Sequence, residues 1–251
     1  MDSTMSRKKS ESGGIGETIR TVVYAVLIAI VLRTFAFEPF SIPSGSMLPT
    51  LLVGDYLFVS KYSYGYSRYS LPWGLPIIEG RVLGSEPERG DVAVFKLPTD
   101  NSTDYIKRIV GLPGDRIQMV GGILHINEEP VELQRVGETV ISATGGFPVR
   151  VTEYIETLPN GSSHRIWERG DNLPFDNTRV YEVPPGHYFA MGDNRDSSQD
   201  SRSGQVGFVP FENLVGRAEI VFFSHDGSAR FWEVWRWPSS IRFNRILDRI
   251  E

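Results

Sequence analysis

Apolar and polar residues follow one another along this chain in two rhythms. One apolar run, "IRTVVYAVLIAIVLRTFAF", lies near the N-terminus, and much of the chain beyond it changes polarity at every second residue. The run, unbroken by turn signals, reads as one helix, whereas period-two alternation reads as strands with one covered face. The segments "GDYLFVSKYSYGY", "GDVAVFKLP", "DYIKRIVGLPGDRIQMV" and "GGILHIN" keep the second rhythm. Gly121-Gly122 and Asn160-Gly161 sit between such segments as hairpin signals. "LVGRAEIVFF" reads as a buried closing strand, and "ARFWEVWRWPSSIRFNRILDRIE" as an aromatic, basic and amphipathic tail. The expected fold class is mainly β: an antiparallel core with an inserted β subdomain, preceded by a single N-terminal transmembrane helix. The expected boundaries are a basic tail at 1–18, an anchor at 19–37, the core at 38–120 and 184–251, and the insertion at 121–183. The insertion is richer in Glu, Gly and Asn than its neighbours and carries no chemical motif.

The charge-free part of the apolar run, Thr21 to Leu32, covers only about 18 Å at a rise of about 1.5 Å per residue, short of a hydrocarbon core of about 30 Å. Its flanks must help. Arg20 and Arg33 can snorkel to the headgroups, so that Ile19 to Phe37 spans the bilayer with Phe35 and Phe37 near the far interface. The rival reading is a cleaved secretory signal, for which Thr34-Phe35-Ala36 is a loose small-residue site. The long polar segment ahead of the run and the motif that begins at Phe40 favour an anchor. Arg7, Lys8, Lys9 and Arg20 precede the run and only Arg33 closely follows it, which places the N-terminus in the cytoplasm and the rest across the membrane.

Composition narrows the function. With 251 residues, 40% of them hydrophobic, the chain can bury a substantial core, and its formal charge of -5 carries no basic stripe for a nucleic acid. It has no cysteine, which excludes disulfides, thiol nucleophiles and thiolate metal sites. His125, His164, His187 and His225 are scattered and form no metal-ligand motif, so they read as surface or core-edge residues. "AMGDNRDSSQDSRSGQVGFVP" has the composition of a solvated loop and lacks the carboxylate spacing of a calcium loop. Its Asp193, Arg195, Asp196, Asp200 and Arg202, held between apolar strands, can form a self-paired ion network. No metal or cofactor is expected.

The stretch "FSIPSGSMLPT" puts two serines on a bend fenced by Pro43 and Pro49, and a plain turn would explain that pattern. A nucleophilic serine needs a base within hydrogen-bond reach and a donor for the oxyanion. None of the four histidines lies in a G-x-S-x-G elbow or another recognisable triad setting. Lysine is the remaining base, and it serves only where desolvation lowers its pKa. Lys107 stands among Tyr105, Ile106, Ile109 and Val110, which supplies such a setting, although a strand lysine paired with a carboxylate fits the same pattern.

Three segments, "IPSGSMLPTL", "DYIKRIVGLPGD" and "MGDNRDSSQDSR", in that order after an N-terminal anchor, resemble bacterial type I signal peptidase, the membrane-bound serine protease that removes signal peptides from exported proteins. "GFVPFENLVGRAEIVFF" extends the likeness. The resemblance implies that Ser46 is the nucleophile and Lys107 the general base. It makes the Ser44 hydroxyl and the Ser46 backbone N–H the oxyanion hole, and Ser198 the hydroxyl that orients the lysine. Arg108, Asp193, Asp200 and Arg202 would brace the site. Phe40, Ile42, Met47, Leu51, Asp104, Tyr105 and Ile106 would form pockets for small side chains, suited to cleavage after Ala-x-Ala. The partners so implied are signal-peptide-bearing preproteins, membrane lipids and a neighbouring secretion translocon, at the outer face of a bacterial cytoplasmic membrane. Many relatives carry two transmembrane helices and some a core disulfide; this chain shows one such helix and no cysteine. Two other readings are a specialised Ser/Lys protease that matures a pilus or conjugation substrate, and a non-catalytic membrane-tethered scaffold. The joint presence of Ser46, Lys107 and Ser198 favours an enzyme over the scaffold.

Overall fold

The computed structural model describes residues 15–71, 77–142, 148–230 and 232–250. Its first element is the helix Ile15–Phe35, 21 residues and about 30 Å long at the usual helical rise. Apolar side chains stand exposed along it, from Ile19 to Phe35, so its length and surface suit a bilayer. The helix starts before the expected span at 19 and stops short of 37, because Phe37 already belongs to the sheet. The strand Phe37–Ser41 pairs with Asp55–Ser60, with Phe37 opposite Ser60. Lys61 N–H donates to the Ala36 carbonyl at 3.0 Å, and Arg33 reaches Glu38 at 2.7 Å, so the helix end is stitched to the first two strands.

The main sheet runs in the order Phe37–Ser41, Asp55–Ser60, Leu214–Ser224, Val92–Lys96, Asp104–Gly111, His187–Met191 and Val209–Pro210, with Asp248–Arg249 also pairing with Leu214–Ser224. Among the described residues every pairing of one strand with another is antiparallel. Ile42, Met47, Leu51, Leu57, Val59 and Val92 pack together beneath the serine-bearing turn. A second sheet joins Tyr181–Glu182, Arg116–Val120, Ile123–Ile126 and Glu129–Pro130. Its second strand falls in the core by the sequence reading, yet Arg116–Val120 folds over Gly121-Gly122 onto Ile123–Ile126. Arg116–Val120 thus shares a sheet with the strands that follow residue 121. Beyond it, Glu132–Ser142, Pro148–Thr157 and Ser163–Glu168 form a three-stranded sheet, with Asn160-Gly161 at the expected turn.

The C-terminal tail returns to the core. Arg245 donates to Asp55 Oδ2 at 2.7 Å and to the Thr50 carbonyl at 2.9 Å, and Arg242 donates to the Val53 carbonyl at 3.0 Å. These arginines hold the far end of the serine-bearing turn. Trp232 and Trp235 point away from the core, 65% and 72% exposed, while Phe231 of the same aromatic run lies outside the described residues.

Candidate active site

Strand alternation places Lys107 and Arg108 on opposite faces of Asp104–Gly111, each opposite a small or apolar partner, Ala93 and Val92, in the neighbouring strand. Lys107 is 3% exposed, and its Nζ lies 2.8 Å from Ser46 Oγ and 2.9 Å from the Ile106 carbonyl. Burial brings the Lys107 pKa down from 10.5 to about 8, with Asp200 and Asp193 pulling the other way. A proton can therefore leave this amine near pH 8, whereas a solvated lysine keeps its proton until about pH 10.4.

On the opposite face, the fully buried Arg108 donates to both oxygens of Asp193, at 2.9 and 2.8 Å, and to the Gly90 carbonyl at 2.7 Å. Thr50 Oγ1 donates to the same carboxylate at 2.5 Å. Burial alone would raise the Asp193 pKa, but the Arg108 charge and these bonds hold it below the usual carboxylate value. Asp193 belongs to the loop that also grips the serine turn: Asn194 N–H donates to the Ser46 carbonyl at 3.1 Å and Asn194 Nδ2 to the Gly45 carbonyl at 2.9 Å. Gly192 has to be a glycine, since a Cβ there would come within 2.5 Å of the Ser46 carbonyl and 2.2 Å of Ser198 Oγ. Asp200 closes the loop by accepting from Gly192 N–H at 3.0 Å and from Arg202 at 2.9 and 2.8 Å. The four residues expected to brace the site form two buried, bidentate Asp–Arg pairs around it.

A cleft of about 630 Å³ opens in front of this pair. Phe40, Ile42, Ser44 and Ser46 line one side, and Asp104, Tyr105, Ile106 and Lys107 the other. Met47 and Leu51 do not line it. Both are 0% exposed inside the core, because Leu51 N–H bonds the Met47 carbonyl and one helical turn puts both side chains on the inner face. Ser198 is also buried beside the site, but its Oγ makes no hydrogen bond, and the Lys107 amine bonds Ser46 and Ile106 instead. Ser197 and Gln199 line the cleft, two residues that the sequence reading did not single out.

The hairpin of Pro148–Thr157 and Ser163–Glu168 supplies further charged residues. Glu156 accepts two bonds from the Arg195 guanidinium, at 2.8 and 2.5 Å, and His164 Nε2 lies 3.3 Å from Glu156 and 3.9 Å from Asp193. Glu156 and His164 are register partners in the hairpin built on Asn160-Gly161. That hairpin register, an acid opposite a histidine, is the signal by which the sequence could have disclosed them. Among the described residues no group of histidine and acidic side chains is arranged to hold a metal ion.

A profile of the family described as "Signal peptidase, peptidase S26" matches residues 15–223 of this chain. The chain is 40% identical over 255 residues to Signal peptidase I of Rickettsia typhi, covering 94% of each sequence. It is 42% identical over 247 residues to Signal peptidase I of Rickettsia massiliae, covering 91% of this chain and 90% of that one.

Proposed function

This chain belongs to the S26 family of signal peptidases, and on that premise we propose that it removes signal peptides from exported proteins with Ser46 as nucleophile and Lys107 as general base. The observation that carries this reading is the 2.8 Å approach of a buried lysine amine to Ser46 Oγ. The neutral amine accepts the Ser46 hydroxyl proton as Oγ attacks the scissile carbonyl. The oxyanion so formed is stabilised by the Ser46 backbone N–H and the Ser44 hydroxyl, which lines the same cleft. Lys107 then gives its proton to the leaving amine, and an ester remains on Ser46. Water, deprotonated by the same amine, hydrolyses the ester and returns Ser46 to its starting state. Arg108, Asp193, Asp200 and Arg202 act by holding the serine turn and the lysine strand in register.

The substrate docks as an extended strand. Among the described residues Phe37–Ser41 is an edge of the main sheet, paired on one side only, and its Pro39, Phe40 and Ser41 line the cleft. Phe40, Ile42 and Ile106 crowd the cleft walls and support a requirement for small side chains, as in Ala-x-Ala. The helix Ile15–Phe35 anchors the enzyme, with the N-terminus in the cytoplasm and the cleft on the far side, close to the translocon that delivers its substrates. Trp232 and Trp235 rest on the lipid surface, where indole rings are favoured. The test is cleavage of a preprotein by the full chain in lipid vesicles. Ser46→Ala and Lys107→Ala should each abolish it, and the double substitution should cost no more than either single one, since nucleophile and base act as a unit.

A further inference from the structure

A sealed set of charges joins the inserted sheet to the serine turn. Glu156, on Pro148–Thr157, and His164, across from it on Ser163–Glu168, are both buried. Glu156 takes the Arg195 guanidinium with both oxygens, and Arg195 Nε has no hydrogen-bond partner, so Glu156 sets the orientation of that fork. Arg195 follows directly on Asp193 and Asn194, the residues that bind Arg108, Thr50 and the carbonyls of Gly45 and Ser46. Trp167 N–H, from the same inserted sheet, donates to the Asp193 carbonyl at 2.9 Å. His164 fills the space between Glu156 and Asp193, but neither ring nitrogen is aligned for a hydrogen bond.

We propose that Glu156 is a positioning residue for Ser46: its two-pronged hold on Arg195 fixes the pitch of the loop at 192–202, and that loop holds the Ser46 turn within hydrogen-bond distance of Lys107. The inference rests on the Ser46/Lys107 reading. A buried ion pair gives little net stability compared with apolar packing of the same volume, because desolvation opposes the attraction. What it adds is direction, since a planar fork meeting a carboxylate allows one approach. The reaction is sensitive to direction. The serine turn is tied to the loop through Asn194, the residue next to Arg195, so a tilt of Arg195 is passed to Ser46 through these two hydrogen bonds.

The test uses the full chain in detergent micelles with a preprotein substrate, and kcat is expressed per folded molecule from a parallel circular-dichroism measurement. Glu156→Gln keeps the volume and weakens the hold; Arg195→Lys keeps the charge and removes the fork; Glu156→Asp keeps the charge and shortens the arm. A misplacement of about 1 Å can cost about 100-fold in rate, so kcat should fall at least about tenfold in the first two variants and less in the third, with KM within about twofold of the parent. Glu156→Asp and Arg195→Lys retain both charges and provide the reading if Glu156→Gln does not fold. A kcat per folded molecule equal to that of the parent in the variants that fold would overturn the inference, as would a loss that appears only in KM. Ser46→Ala and Lys107→Ala run in the same assay separate the two claims. If they are inactive while the Glu156 and Arg195 variants match the parent, only the positioning role fails. If they retain activity, the dyad itself is wrong.

Discussion

Lys107 and Arg108 are adjacent in sequence and opposed in space: one reaches Ser46 Oγ at 2.8 Å, and the other grips the Asp193 carboxylate on the far face of the strand. Two buried cations in succession would be costly in any strand, and each is tolerated for a different reason. Arg108 is matched by a carboxylate and by the Gly90 carbonyl. Among the described residues Lys107 touches no carboxylate but a hydroxyl, a carbonyl and the face of the Tyr105 ring, 5.4 Å away, and it meets the cost by giving up its proton more readily.

Removing the matched charge should be the more damaging of the two to the fold. Arg108→Leu leaves the Asp193 carboxylate buried without its cation, and loss of one partner of a buried pair costs about 3–5 kcal/mol. Denaturant unfolding of the detergent-solubilised chain at neutral pH should show that loss. A change below about 1 kcal/mol, the range of an exposed pair, would mean that Asp193 finds another partner.

Removing the unmatched charge should do the opposite. Unfolded, Lys107 titrates near 10.5, and folded it titrates at about 8. Between those values the unfolded chain holds a proton that the folded chain has released, so the lysine's penalty is full below about 8 and fades as the pH climbs to about 10.5. Lys107→Met should therefore stabilise the inactive protein by roughly 3 kcal/mol at pH 7, at about 1.4 kcal/mol per pH unit. Thermal melts at pH 7 and 10.5 check this: the gain should be present at the first and nearly gone at the second. A variant less stable than the parent at pH 7 would contradict it.

The cleft walls predict selectivity. Preproteins with alanine at the first and third positions before the cut should be processed, and leucine or phenylalanine at either position should stop cleavage. Ile42 and Ile106 flank Ser46 and Lys107 in the cleft, so Ile106→Ala should relax the restriction at one of the two positions. Mass spectrometry of cleavage products from a substrate panel reads this directly, and acceptance of phenylalanine by the parent enzyme would refute the pocket assignment.

The exposed indoles make a lipid contact testable. The N-terminal helix contains no tryptophan, so quenching of tryptophan fluorescence by brominated lipids in reconstituted vesicles reports on the catalytic domain. Trp232→Phe together with Trp235→Phe should remove most of the quenching. An unquenched parent protein would show that these rings face water.

Much of the site was legible in the sequence because its residues stand in short, dense motifs. The proline and glycine of the serine bend, the apolar neighbours of Lys107 and the Asp-Arg content of the loop after Gly192 each imply a local geometry. The family resemblance puts Met47 and Leu51 in the cleft, yet one turn of helical backbone directs them into the core, a rotation that the alternation of apolar residues does not reveal. The hairpin on Asn160-Gly161 puts Glu156 opposite His164, which the sequence can disclose, but their partners Arg195 and Asp193 lie on a distant loop that only the tertiary fold brings to them. The tail reads as basic and amphipathic, yet two of its arginines, Arg242 and Arg245, turn inward to the end of the serine turn, where they meet the Val53 carbonyl and the buried Asp55 carboxylate. Polarity along a segment predicts which face is wet, but it does not name the partner that a long cationic side chain will find.

Lys107 as the base for Ser46 must shed its proton around pH 8. This requirement is tested most directly by the pH dependence of kcat/KM for preprotein cleavage by the full chain in vesicles, which reports the ionisation of the free enzyme. Activity should rise along a single limb as Lys107 loses its proton, with a midpoint at about 8. A midpoint near that of a solvated lysine, about 10.4, or near that of a histidine, about 6.5, would contradict the account.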